Sequence, residues 1–265
     1  MKSIFLNIIT KVILFVILTV ITQIGGIVYF FSLLISKKCK KNYNTLIIFL
    51  LLYFLSTLLI VPNIASIFGR EPVIHSKKIK PVNYLTVILN RNYVVPELNN
   101  LLKKTEKELT KTDLHIHYLD ANFPFFNNFP LLPHLSHNDG KKIDISFIYE
   151  TKFGITSDKQ KTISGYGLFE APRLDEYNQT KKCLQGGEFK YNLTRFFTFG
   201  KINQDLLFSV KGTRRIIKEI LKSKNVQKIF IEPHLKTRMK LNNTKIRFQG
   251  CKSVRHDDHI NLQIK

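Results

Sequence analysis

Between Met1 and Asn63 the sequence has no aspartate and no glutamate, and its only basic side chains are six lysines. All 19 acids, all eight histidines and the other 35 basic residues fall in the remaining 202 positions. That second region therefore carries +16 of the formal +22. So uneven a division excludes a simple cytosolic enzyme, and so few apolar runs exclude a polytopic transporter. What is left is a membrane anchor joined to one soluble domain, long enough to bury a core without metal or disulfide staples. Cysteine is scarce: Cys39, Cys183 and Cys251 match no cysteine-based zinc spacing. Internal repeats and nucleic-acid-binding motifs are absent, and the lysines are dispersed, so no nucleic-acid partner is expected.

The anchor is read from two apolar runs. Val12 to Ile35 is 24 residues long, interrupted only by Thr19, Thr22, Gln23, Gly25, Gly26 and Ser32. Leu46 to Val61 is the second. About 20 apolar residues cross a bilayer, so the sequence predicts a transmembrane hairpin within residues 1–63, with spans near 12–35 and 45–62. Lys37, Lys38, Lys40 and Lys41 sit between the runs. Short basic loops stay on the cytoplasmic side, which places the rest of the chain in the periplasm or outside, on the inner membrane, although Lys2 and Lys11 oppose this orientation weakly. A basic domain there meets acidic headgroups and anionic wall polymers. Cys183 and Cys251 are free to pair in such a compartment.

Residues 64–81, with Gly69, Pro72 and Pro81, read as a linker, and 82–265 as the exported domain. Within it, strands are predicted at Val82–Asn90, Asp113–Leu119, Ile143–Tyr149, Val226–Ile231 and Asp257–Ile264. Helices are predicted at Val95–Thr110, opened by Pro96, and at Asp205–Lys222, capped by Asp205. Residues 121–133 form a Phe- and Pro-rich loop, and 151–204 are irregular. Mixed elements without regular β-α-β alternation argue an α+β fold with a mainly antiparallel sheet flanked by helices.

Two clusters carry donor atoms. Ser136-His137-Asn138-Asp139-Gly140-Lys141-Lys142-Ile143-Asp144 puts an imidazole before a glycine turn and a carboxylate at a strand start, both good zinc ligands. Arg255-His256-Asp257-Asp258-His259-Ile260-Asn261 opens the last strand, where His259 and Asn261 share a face. Asp257 is placed to orient an imidazole. His234, and His115 with His117, read as a surface turn and an exposed strand.

The pattern S-H-x-x-G-x-x-x-D with a late H-x-H-like strand resembles the LAS-type zinc peptidases. The segment from Val226 through Glu232-Pro233-His234, followed by Arg255 to His259, is similar to the penicillin-insensitive murein endopeptidases, exported enzymes that cut peptide cross-links in peptidoglycan. The resemblance runs from about Val82 to the C-terminus, and the membrane hairpin is an addition to that plan. It implies His137 and Asp144 as zinc ligands and His259 as the catalytic histidine off the metal, with His256 beside it. The third metal position is Asn261, a carboxamide where the family has histidine and a poorer zinc donor than imidazole. Three outcomes follow: Asn261 ligates weakly, His259 or His256 moves in as ligand, or metal and turnover are lost and the domain only binds or regulates at the wall.

Overall fold

The computed structural model describes residues 2–38 and 44–265; the predicted loop residues Cys39, Lys40 and Lys41 lie outside them. The first apolar run is not one span. It is divided between α1 (Lys2–Thr22) and α2 (Gly25–Lys38). The chain reverses at Gln23, whose φ of 65° is left-handed, and the Gly25 N–H donates to Thr22 Oγ1 at 2.7 Å. A Cβ on Gly26 would lie 1.9 Å from Thr19 Oγ1 and 2.6 Å from the Phe15 carbonyl oxygen, so only glycine lets α2 fold back along α1. The small and polar interruptions of that run are thus a turn.

A continuous helix then follows as α3 (Thr45–Leu55), a π-helical segment (Ser56–Ile60) and α4 (Val61–Ile67). Pro62, which has no N–H to donate, accounts for the π segment just before it. Among the described residues this Thr45–Ile67 helix is the one long and apolar enough to cross a membrane; the apolar stretch of α1, Leu6–Thr22, is shorter. Ile24, Val28, Val61 and Ala65 pack with Tyr93, and Phe125 N–H donates to Gln23 Oε1 at 2.9 Å, so the α1/α2 turn rests on the rest of the chain.

That remainder is α+β with mixed sheets. Its elements are β1 (Glu71–Pro72), β2 (Ile79–Pro81), α5 (Leu85–Ile88), β3 (Tyr93–Val94), α6 (Pro96–Leu109), β4 (Ile116–Tyr118) and β5 (Lys142–Ser146). Next come β6 (Tyr149–Glu150), β7 (Thr156–Ser157), α7 (Gln179–Gln185), a 3-10 helix (Phe189–Phe197), β8 (Leu207–Phe208), α8 (Val210–Leu221), β9 (Val226–Phe230), α9 (Pro233–Arg238), β10 (Ile246–Arg247) and β11 (His259–Ile264). The main sheet has the order β10-β9-β11-β5-β4-β2. Its three inner pairings are antiparallel, and both edge pairings, β10/β9 and β4/β2, are parallel. The main core joins Leu98, Leu102 and Leu109 of α6 and Ile216, Ile217 and Ile220 of α8 to Ile143, Ile145, Ile229 and Leu262 of this sheet.

Three expectations are corrected. The stretch read as a linker contributes β2 to the edge of the main sheet. Val82–Asn90 is not a strand: Asn83 Oδ1 accepts from Leu85 N–H at 3.0 Å, an Asx turn that starts α5. The second long helix begins at Val210, capped by Ser209, whose Oγ accepts from Gly212 N–H, and not at Asp205. The apolar residues before it form β8 instead.

Cys183 and Cys251 are joined as a disulfide across a sequence separation of 68 residues. Closing a loop of that size constrains the unfolded chain, so Cys183→Ser is expected to lower the unfolding free energy by roughly 2–4 kcal/mol. Denaturant unfolding of the full chain measures it, and an unchanged midpoint would contradict the pairing.

Candidate metal centre

Strand register builds the site. β11 lies beside β5 with Asn261 directly opposite Asp144, and His259 opposite Ser146. The loop before β5 supplies the imidazoles. His137 N–H donates to the His134 carbonyl at 2.9 Å, a turn that sets the two rings 5.5 Å apart. Gly140 ends that loop with φ of 80°, and a Cβ there would meet Val95 Cγ1 at 3.0 Å and Arg70 Nε at 3.2 Å. This is the structural reason for glycine in the motif.

Asp144 is fully buried and receives contacts from every side. Its Oδ1 accepts from Asn261 Nδ2 at 2.8 Å and lies 3.3 Å from His137 Nε2 and 3.5 Å from His259 Nε2. Its Oδ2 accepts from Tyr166 Oη at 2.8 Å and lies 3.0 Å from His134 Nδ1. Burial alone would raise the pKa of this carboxyl group, but the imidazoles of His137, His259 and His134 outweigh it and hold the group well below its usual value. Tyr166 is pushed the other way by burial and by Asp144, and stays a neutral donor.

The imidazoles are oriented as metal-binding rings are. His137 Nδ1 donates to the Ala121 carbonyl at 2.7 Å, which turns the Nε2 lone pair toward Asp144. His259 Nδ1 is 2.5 Å from Asp258 Oδ1, and Asp258 Oδ2 accepts from Gly167 N–H at 2.6 Å. Burial would lower the pKa of His259, yet Asp144 and Asp258 carry it up to about 9. The His256 ring lies 4.9 Å from that of His259, tilted by 53°; its own burial and that neighbour hold it neutral. The Nε2 atoms of His134, His256 and His259 are buried without a hydrogen-bond partner. Buried ring nitrogens without a protein partner in one cluster are donor or acceptor sites open to a ligand.

The donor set fits a cation. One ligand atom each from His134, His137 and Asp144 lies within 4.8 Å of the others, and all three residues are buried. Two imidazoles and a carboxylate are a normal zinc set with a position left open. Asn261 stands among them, but with its amide nitrogen forward, Nδ2 lying 2.8 Å from His137 Nε2 as well as from Asp144 Oδ1. The amide bridges these two acceptors, so a cation held by both of them would have to displace those hydrogen bonds.

The structure therefore brings His137, Asp144, His259, His256 and Asn261 together, adds His134 and Tyr166, which sequence reasoning missed, and gives a role to Asp258, which the terminal cluster contained without one. The H-x-x-H spacing of His134 and His137 was the available signal for the first; Tyr166 comes from the irregular stretch and had none. Asp257 does not orient an imidazole at the centre, because it pairs bidentately with Arg255. His234 is buried on α9, Nε2 bonded to the Glu170 carbonyl at 2.8 Å, rather than in a surface turn. His117 is likewise buried rather than exposed, while His115 faces Asp158 at 2.6 Å.

Removing the Tyr166 hydroxyl with Tyr166→Phe takes away a support of Asp144. Zinc affinity is expected to fall about 10–100-fold, the usual cost of an outer partner. Competition with a fluorescent zinc chelator measures this, and an unchanged affinity would show that Tyr166 does not serve the centre.

No protein-family model matches the chain, and no curated protein matches it.

Proposed function

We propose that the chain is a membrane-tethered zinc metallopeptidase that hydrolyses peptide cross-links in peptidoglycan. The observation that carries this reading is the convergence of His134, His137 and Asp144 beside an aspartate-held His259 in one buried cluster. The motif resemblance supplies the reaction class. When bound, zinc supplies Lewis acidity and an acidified water. The chain's residues do the rest. His134, His137 and Asp144 would hold the cation, and Tyr166 fixes the carboxylate. Asp258 fixes His259 through Nδ1, so that Nε2 faces the reacting groups and holds a proton or a developing oxyanion. His256 packs against that ring and keeps it in place.

The anchor and the disulfide agree with an exported domain on the inner membrane. Because α2 doubles back on α1, the Lys2 end of α1 returns to the same side as Lys37 and Lys38. That arrangement is compatible with the Lys2 end and the basic loop sharing the cytoplasmic side. Lys107, Lys111, Lys211 and Lys218 gather around one cleft between α6 and α8, a suitable contact for anionic envelope polymers.

One observation favours a second reading, a wall-binding or regulatory module without turnover: the Asn261 amide satisfies His137 and Asp144 with no metal at all. Digestion of purified peptidoglycan by the zinc-loaded full chain separates the two. Conversion of cross-linked muropeptides to monomers, stopped by a chelator, supports the peptidase. An unchanged muropeptide profile with retained sacculus binding supports the module.

A further inference from the structure

A cavity of about 290 Å³ lies against the candidate metal centre, and one wall of it is the apolar helix α1, through Val20 and Ile21. The opposite wall comes from the exported domain, through Leu89, Leu132 and Phe199. Tyr166 and Pro133 also line it. Tyr166 is the residue that bonds Asp144, and its ring lies 4.8 Å from His134 and 5.0 Å from His259. Pro133 directly precedes His134. Cavity and metal cluster thus share a wall one side chain thick.

Three features describe the occupant. The lining is overwhelmingly apolar, and at the mouth Leu85, Leu132 and Phe199 are about half exposed, as are Tyr84 and Ile88 next to them. Contiguous exposed side chains of this kind mark a membrane or ligand surface. Second, Val20 and Ile21 are at the end of α1 where the helical unit meets the domain, just before the Gln23 reversal that accepts from Phe125 N–H. The mouth therefore lies where the apolar helical unit joins the rest of the chain. Third, the cavity is not uniformly greasy. Arg91 reaches into it, tied by Nη2 to Asp120 Oδ2 at 2.7 Å and to the Leu132 carbonyl at 2.6 Å, and its Nε is buried without a partner. The paired Arg91 and Asp120 thus give a mostly apolar lining one polar end, where the peptide attached to an apolar tail finds hydrogen-bond partners.

We infer that this cavity receives the hydrocarbon chain of a lipid-linked peptide, so that the substrate is cut while still attached to the membrane. The inference rests on the peptidase reading and narrows its substrate class. It also gives the tether a purpose, because α1 is part of the binding site and not only a leash. A chain of two or more buried methylenes is enough to set a preference above about tenfold.

The test uses the full chain in phosphatidylcholine vesicles. The probes are a synthetic cross-linked muropeptide and the same peptide carrying a palmitoyl chain with a terminal diazirine. The palmitoylated peptide is expected to show a kcat/KM more than about tenfold higher, and irradiation is expected to label the Val20–Ile21 and Leu132 segments. Val20→Trp, with Leu132→Trp as an independent plug, should bring the ratio of the two rates to about one and remove the label. Equal rates for both peptides, or label confined to surfaces outside the cavity, would overturn the inference and leave the peptidase standing. Cavity labelling that the plugs abolish, with neither peptide cut, would sink the peptidase reading and keep the lipid site.

Discussion

Asp144→Asn is expected to abolish zinc retention and cross-link cleavage together while leaving the chain folded. The substitution keeps the volume of a fully buried side chain and keeps an acceptor for Tyr166 Oη. It removes the negative charge around which His137, His259 and His134 gather. A direct ligand should cost more than an outer partner, so zinc affinity should fall by more than about 100-fold. The same change withdraws the principal support for protonated His259, whose pKa should drop from about 9 toward the ordinary imidazole range. Metal analysis, muropeptide release and imidazole NMR titration read the three effects. Full zinc content in the folded variant would remove Asp144 from the centre.

Asn261→His is expected to act in the opposite direction. The native amide donates to both His137 and Asp144, so it competes with a cation for the same two acceptors. An imidazole from the same position has a lone pair to offer, and it stands directly across from Asp144 in the β5/β11 register. Zinc affinity should rise by about 10–100-fold, since imidazole is a far better zinc donor than a carboxamide. Chelator competition measures it. If affinity is unchanged, the side chain at 261 does not face the cation. If affinity rises and cleavage appears only then, the native chain is the wall-binding module.

The parts of this fold legible in the sequence are those where one physical signal dominates. Leu98, Leu101, Leu102 and Leu109 announce α6 by their spacing, and they are buried on its inner face. The strands at 142–146 and 226–230 announce themselves by short β-branched runs. Where two signals compete, reading the sequence fails. Val82–Asn90 is apolar enough for a strand, but the Asn83 turn makes it helical, and its exposed Tyr84, Leu85 and Ile88 now border the cavity mouth. The run from Val12 to Ile35 is long enough for one span, yet Gln23, Gly25 and Gly26 fold it in two. At the site, the glycine motif and the terminal strand lead to His137, Asp144, His259 and Asn261. Tyr166 arrives through a tertiary contact that no local spacing encodes. Asp258 was within the reading, but strand alternation favoured Asp257 as the acceptor, and β11 begins only at His259.

Zinc-edge X-ray absorption on the metal-loaded full chain tests the centre most directly. The account predicts a shell of nitrogen and oxygen donors at about 2.0–2.2 Å, with the multiple-scattering pattern of imidazole and no sulfur near 2.3 Å, and loss of that pattern in His137→Ala. A chain that retains no zinc after loading, or a spectrum identical in wild type and His137→Ala, would contradict it.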